Sequence, residues 1–177
     1  MLIRLICRIS YSFSLIWCNR VTALTMNDMD LLWLTKRTLE RGYLMSLAVN
    51  DADGIWVADV IYIHDDDLNI YWMSRTNRRH SQAIDGGSDR VAATITVTHG
   101  PQDPDEGLQI SGRGKQLTEP PLDLLKTWMA KKRKQDQYDA AQIVLDEHVW
   151  YQLIPDKIEL INQEQFGYDR QTVLSYE

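Results

Sequence analysis

Apolar residues recur with two different periods along this chain, and the changes of period mark out its elements. From Asn27 to Arg41 the reading is helix: Leu31, Leu32, Thr35 and Leu39 form a stripe, Asn27 or Asp28 stands where a cap is needed, and Gly42 can supply a left-handed stop. Tyr43 to Val49 then alternates as a strand, NDADG (50–54) reads as a hairpin loop with Gly54 free to take positive φ, and Ile55 to Ile63 is its partner. The acidic stretch His64 to Asp67 turns the chain, and Leu68 to Met73 is a third strand rich in aromatic and β-branched residues. A short helix follows to about Asp85, with Thr76 or Asn77 as its cap and Gly86 and Gly87 as its end.

Further along, Arg90 to Thr98 alternates as a strand, HGPQDPDEG is loop, and Leu108 to Leu117 is another strand. After Pro120 and Pro121, Leu122, Leu125, Trp128 and Met129 have helical spacing. A second helical stretch lies around Ala140 to Leu145, and Val149 to Ile154 and Lys157 to Ile161 make the last strands, bent at Pro155. Mostly hairpin connections with helices in only two of them predict a mainly β (α+β) fold, a six- to seven-stranded antiparallel barrel with flanking helices, rather than a parallel α/β sheet.

Charge and cysteine placement then narrow the function. Residues 1–26 carry three of the 19 Lys and Arg, no acid, and both cysteines, Cys7 and Cys18. The rest sets 16 bases against 25 acids, about −9 net, which disfavours general nucleic-acid binding. A thiol-free body also excludes a disulfide framework and suits a reducing cytoplasm. Arg8 splits the apolar run of the N-terminal segment and no A-x-A site follows, so residues 1–26 are expected to be an extension outside the fold, with residues 27–177 as one domain and no membrane span.

The chemistry gathers in LNIYWMSRTNRRHSQAI (68–84). An apolar strand there breaks into Ser74, Arg75, Thr76, Asn77, Arg78, Arg79 and His80 before a helical pattern resumes. Ser74 and Thr76 put hydroxyls just before the helix, while Arg78, Arg79 and His80 fall in its first turn, where cations are unfavourable for the helix dipole unless an anion compensates them. Two readings stand at this level: an anion site, or a solvated helix face whose arginines pair with acids such as Asp85 and Asp89. Other motifs are less informative. GRGKQ (112–116) lies inside a strand and lacks the phosphate-loop pattern, and Asp65, Asp66 and Asp67 lack calcium-loop spacing. His64, His80, His99 and His148 show no paired metal spacing, and KKRK (131–134) reads as an exposed helix end.

The order strand, DG hairpin, strand, acidic turn, aromatic strand, then S-R-T-N-R-R-H-S-Q resembles the FMN-binding split-barrel family related to pyridoxamine 5'-phosphate oxidase, over about residues 29–170. LQISGRGKQL is similar to that family's V-Q-V-x-G-x-A strand, with Gln109 and Gly112 at the matching places, and FGYDR (166–170) resembles a late glycine-aromatic turn of an uncharacterised bacterial subgroup. The resemblance implies that Ser74, Arg79 and His80 match the grip on the phosphate of flavin mononucleotide, with Thr76 and Arg78 beside them. Asp59, Val60 and Ile61 would run along the ring, with Gln109 and Trp150 as further contacts. His80 stands where a lysine is usual, and Asp59 stands where the vitamin B6 oxidases place basic residues. Their C-terminal substrate signature is absent, so oxidation of pyridoxamine phosphate is not implied. What is implied is an FMN-dependent oxidoreductase of a small-molecule substrate, a homodimer with the cofactor at the interface. A non-catalytic module of the same fold, holding haem, another flavin or nothing, is the alternative. Trp56, Tyr62, Tyr71, Trp72 and Trp150 look too numerous for one small barrel to bury, which adds to the dimer expectation.

Overall fold

The computed structural model describes residues 26–119, 122–132 and 148–175, with side chains of the first and third helices described from Asp30 and Leu124. Residues 1–25, the second half of the KKRK run and the helical stretch expected around Ala140 to Leu145 lie outside the described residues. Helix α1 (Met26–Arg41) leads into strands β1 (Leu44–Asp51), β2 (Gly54–His64) and β3 (Ile70–Arg75), then α2 (Arg79–Asp85), β4 (Arg90–Thr96) and β5 (Glu106–Gln116). Helix α3 (Leu122–Lys131), β6 (His148–Asn162), the single turn α4 (Gln163–Phe166) and β7 (Arg170–Ser175) complete the described chain. All pairings are antiparallel, in the order β3-β2-β1-β4-β5-β6, and β3 also pairs with β6, which closes a six-stranded barrel with β7 added outside it. The barrel expected from the sequence is therefore present. Among the described residues no helix is long and apolar enough to cross a membrane.

The two strands expected on either side of Pro155 are one strand, because β6 changes partners there. Its first half pairs with β3 from Ile70↔Leu153 to Arg75↔His148, and its second half pairs with β7. Proline has no N–H to give a ladder, so it fits at such a handover. Beside it β6 bulges at Asp156, which is skipped where Ser111 pairs with Lys157 and Gly112 with Pro155, and a Cβ on Gly112 would lie 2.2 Å from the Ile154 carbonyl oxygen and 2.8 Å from Pro155 Cα.

Two apolar layers absorb the rings. Inside the barrel, Trp72 and Tyr151 stack at 5.6 Å and lie with Tyr62 among Leu39, Met45 and Leu153. Outside it, α3 covers Ile63, Tyr71 and Trp150, with Trp128 edge-on to Trp150 at 6.2 Å. Strand β3 is thus buried on both faces, while β4 alternates strictly. Consequently Tyr62, Tyr71, Trp72 and Trp150 are buried within a single chain, and of the five rings only Trp56 is exposed, at 42%. The surplus of rings thus gives no support to a dimer.

The hairpin after β1 forms as its sequence predicts, with Asp51 paired to Gly54 and Gly54 at φ 101°. The helix stop differs: Gly42 is not left-handed, but a Cβ there would meet Ile95 Cγ2 and Tyr62 Oη, each at 2.5 Å. Tyr62 donates to the Leu39 carbonyl at 2.7 Å, so this glycine lets the end of α1 settle on the barrel. The turn after β2 is also more than solvated. Asp65 accepts from the Asn69 amide at 2.9 Å and from Tyr71 Oη at 2.7 Å, and Asp66 pairs with Lys36 at 2.8 Å.

Gly112→Ala should destabilise the fold by about 2 kcal/mol or more in denaturant unfolding, since backbone has to move to admit the methyl. Gly100→Ala, whose nearest atom is Asp103 Oδ2 at 3.9 Å, should change stability little. Equal losses would contradict the close approach at the β6 handover.

Candidate functional site

Closure of β3 on β6 brings the ends of three strands and two helices around one cleft of about 380 Å³. Asp59, Val60 and Ile61 come from β2, and Met73, Ser74 and Arg75 from the end of β3. Arg78 and His80 come from the start of α2, Trp128 and Lys132 from the end of α3, and Leu44 and His148 from the starts of β1 and β6. The volume is that of a small-ligand pocket, and its lining mixes apolar side chains with polar ones, of which Ser74, Arg75, Arg78 and His80 belong to the chain reversal after β3.

That reversal organises these polar groups. The expected Thr76 or Asn77 cap does not form: Arg78 occupies the position before α2, with extended backbone and no side-chain cap, and its amide donates to the Arg75 carbonyl at 3.1 Å. Helix α2 has only seven residues, so the side chains around it, more than its dipole, set the local charge. Ser74 Oγ lies 2.8 Å from His80 Nε2, and both residues are buried. Burial, and after it the charge of Arg78, push the His80 imidazole below its ordinary range, so the ring is neutral near pH 7. Arg78 itself is exposed and makes no ion pair among the described residues.

Adjacent arginines part company here. Arg79 Nε and Nη2 donate to Asp51 at 2.7 and 2.9 Å, and its guanidinium sits 4.9 Å above the Trp56 ring. The pairing lowers the Asp51 pKa. Arg79 thereby ties α2 to the β1–β2 hairpin and does not line the cleft. The acids suggested as its neighbours are engaged elsewhere: Asp89 pairs with Arg113, and Asp85 accepts from Tyr151 Oη at 3.0 Å.

Of the residues singled out from the sequence, Asp59, Val60, Ile61, Ser74, Arg78 and His80 meet in the cleft. Thr76 is exposed in the turn, Trp150 lies in the layer beneath α3, and Gln109 opens onto a separate cavity of about 450 Å³ with Thr94 and Thr96. Asp59 accepts from Ser46 Oγ at 2.6 Å. The sequence reading named Arg75 in the basic stretch without giving it a contact, and gave none to Leu44, Met73, Trp128, Lys132 and His148. One signal was available: Trp128 and Lys132 are four residues apart and so share a helix face. The two described lysines of KKRK do not point simply to solvent. Lys132 Nζ lies 3.8 Å from the Trp128 ring centre and Lys131 Nζ 3.6 Å from that of Tyr62, where burial lowers the Lys131 pKa to about 8.

Neither a family model nor a curated protein matches the sequence. Solved structures do match, and they define the class: the fold is the split β-barrel of pyridoxamine 5'-phosphate oxidase-related proteins. A putative pyridoxamine 5'-phosphate oxidase from Listeria innocua superposes with a TM-score of 0.57 at 19% identity, over 75% of this chain and 98% of that one. A pyridoxamine 5'-phosphate oxidase-related, FMN-binding protein from Nostoc punctiforme gives 0.53 at 10% identity, over 82% and 87%. A heme-binding protein from Mycobacterium smegmatis gives 0.53 at 14%, over 80% and 58%. At these identities the likeness establishes the fold, and the ligand must be argued from the cleft.

Arg79→Ala should lower the melting temperature by a few degrees, and Asp51→Ala made on top of it should add little, because either change removes the same pair. Additive losses in thermal unfolding would show that the two side chains act independently.

Proposed function

We propose that this chain binds FMN in the cleft and is an FMN-dependent oxidoreductase acting on a small molecule. The observation that carries the reading is the composition of one cavity: the Ser74, Arg78 and His80 side chains line it together with the apolar Val60, Ile61, Met73 and Trp128. That donor set fits a phosphate, and those apolar side chains fit a flat, largely apolar ring. Arg78 and Ser74 would hold and orient the phosphate, the Asp59–Ile61 stretch would lie along the ring, and Trp128 would keep water from it. When bound, the flavin supplies hydride or electron transfer, so the protein's part is binding, orientation and exclusion of water.

A homodimer belongs to the same reading, on different grounds from the ring surplus. Strand β2 pairs with β1 over Gly54–Ile61 but with β3 only over Tyr62–His64, so among the described residues its hairpin half has one edge unpaired. Ile55 and Val57 on that half are 77% and 55% exposed, and the same edge runs on to Asp59, Val60 and Ile61 at the cleft. A second copy seated there would cover both the open edge and the cofactor. The cysteine-free body supports a cytoplasmic setting. The heme-binding neighbour gives the alternative, a non-catalytic binding module of this fold, its footing.

Protein purified without added cofactor should show the two visible flavin bands and, by light scattering, twice the 20.6 kDa chain mass. A Soret band would favour the heme-binding alternative, and a colourless preparation that takes up no added FMN would overturn the FMN reading. A monomer in the flavin-bound protein would remove the dimer.

A further inference from the structure

We infer that Ser74 and His80 form a proton-operated grip, in which uptake of one proton by His80 turns the Ser74 hydroxyl from the imidazole toward a phosphate in the cleft. This rests on the FMN reading of the same site and adds how that site is regulated.

The argument starts from the 2.8 Å bond between Ser74 Oγ and His80 Nε2, two buried residues that line the cleft. In the neutral ring that carries its proton on Nδ1, Nε2 accepts from the serine hydroxyl, whose lone pairs then face the ligand, the wrong polarity for an anion; the neutral tautomer with the proton on Nε2 frees the hydroxyl but brings no charge. A doubly protonated ring can only donate to Ser74, which frees the hydroxyl proton for a phosphate oxygen. The same proton adds a positive charge beside the anion. One protonation therefore makes both residues favourable to phosphate.

The surroundings set the sign. Arg75 from β3, Arg78 before α2, Lys132 from α3, His148 from β6 and Asp59 from β2 line the cleft with His80. Burial and Arg78 oppose the charged ring in the free protein, so it is neutral near pH 7. A bound dianion reverses the balance and raises the imidazole pKa in the complex. Binding therefore takes up a proton, and affinity rises as pH falls through the bound pKa toward the free one. A lysine at this position would grip at any physiological pH, whereas His80 makes the grip conditional.

The test is FMN titration between pH 8 and pH 6 with calorimetric proton counting in two buffers, on the full chain, His80→Gln, His80→Lys and His99→Gln. Because the phosphate's own second ionisation lies near pH 6, the parent is compared with His80→Gln rather than taken alone. The parent should gain on the order of tenfold in affinity over His80→Gln across this range, with net proton uptake at pH 7 that His80→Gln lacks. His99→Gln, an exposed histidine outside the cleft, should keep the parent's behaviour, and His80→Lys should bind FMN firmly without the extra proton, which also shows that the site survives substitution. Identical pH slopes and proton counts in parent and His80→Gln, with FMN still preferred over riboflavin, would overturn the grip while leaving the FMN reading standing. A parent that binds FMN no better than riboflavin, at any pH, would remove both.

Discussion

Strand β6 is shared between two neighbours, and the rest of the molecule depends on how that sharing is resolved. Up to Leu153 it closes the barrel on β3, and from Lys157 it pairs with β7. The change falls at Pro155, β6 itself bulges at the adjoining Asp156, and β5 comes close there at Gly112, where no side chain would fit. Closure sets Arg75 opposite His148 in register, so the end of β3 and the start of β6 meet where α2 and α3 approach. The cleft is the place left between those ends. Its apolar wall and the layer beneath α3 are continuous through Trp128, which lines the cleft and packs edge-on against Trp150.

Charge is distributed to match. The chain carries a formal charge of −6, yet among the described residues the cleft is lined by Arg75, Arg78 and Lys132 and by the carboxylate of Asp59. A local surplus of cations in an acidic protein focuses the field on a small anion without attracting polyanions in general. The two arginines at the start of α2 divide the work: Arg79 is spent on Asp51 and Trp56, holding the hairpin, and Arg78 is left at the mouth.

Much of the barrel was legible because its signals are local. The Asp-Gly hairpin, the strict alternation of β4 and the aromatic run of β3 each follow from backbone preference and a half-buried or buried surface. Where the reading departed from the structure, long-range geometry decided. Pro155 reads as a break unless the change of partner strand is known. Strand β7, partly exposed and lacking a continuous apolar face, gives little periodic signal, and the late turn was read without it. Gly42 looks like a left-handed stop because its real reason, the crowding of Tyr62 and Ile95, lies in other strands. In the site, Arg78 and Arg79 cannot be distinguished by composition, since one stands before α2 in extended backbone and the other opens the helix, and only the position of Asp51 settles which arginine is engaged.

The central claim is that Arg78, rather than its neighbour, holds a flavin phosphate, and the most direct test is a paired titration of parent and Arg78→Ala with FMN and with riboflavin. A charge-assisted hydrogen bond to a phosphate is worth about 1.5 to 3 kcal/mol, so FMN affinity should fall by roughly ten- to a hundredfold. Riboflavin, which lacks the phosphate, should bind parent and Arg78→Ala alike. Equal weakening of both ligands, or no weakening of either, would contradict the account.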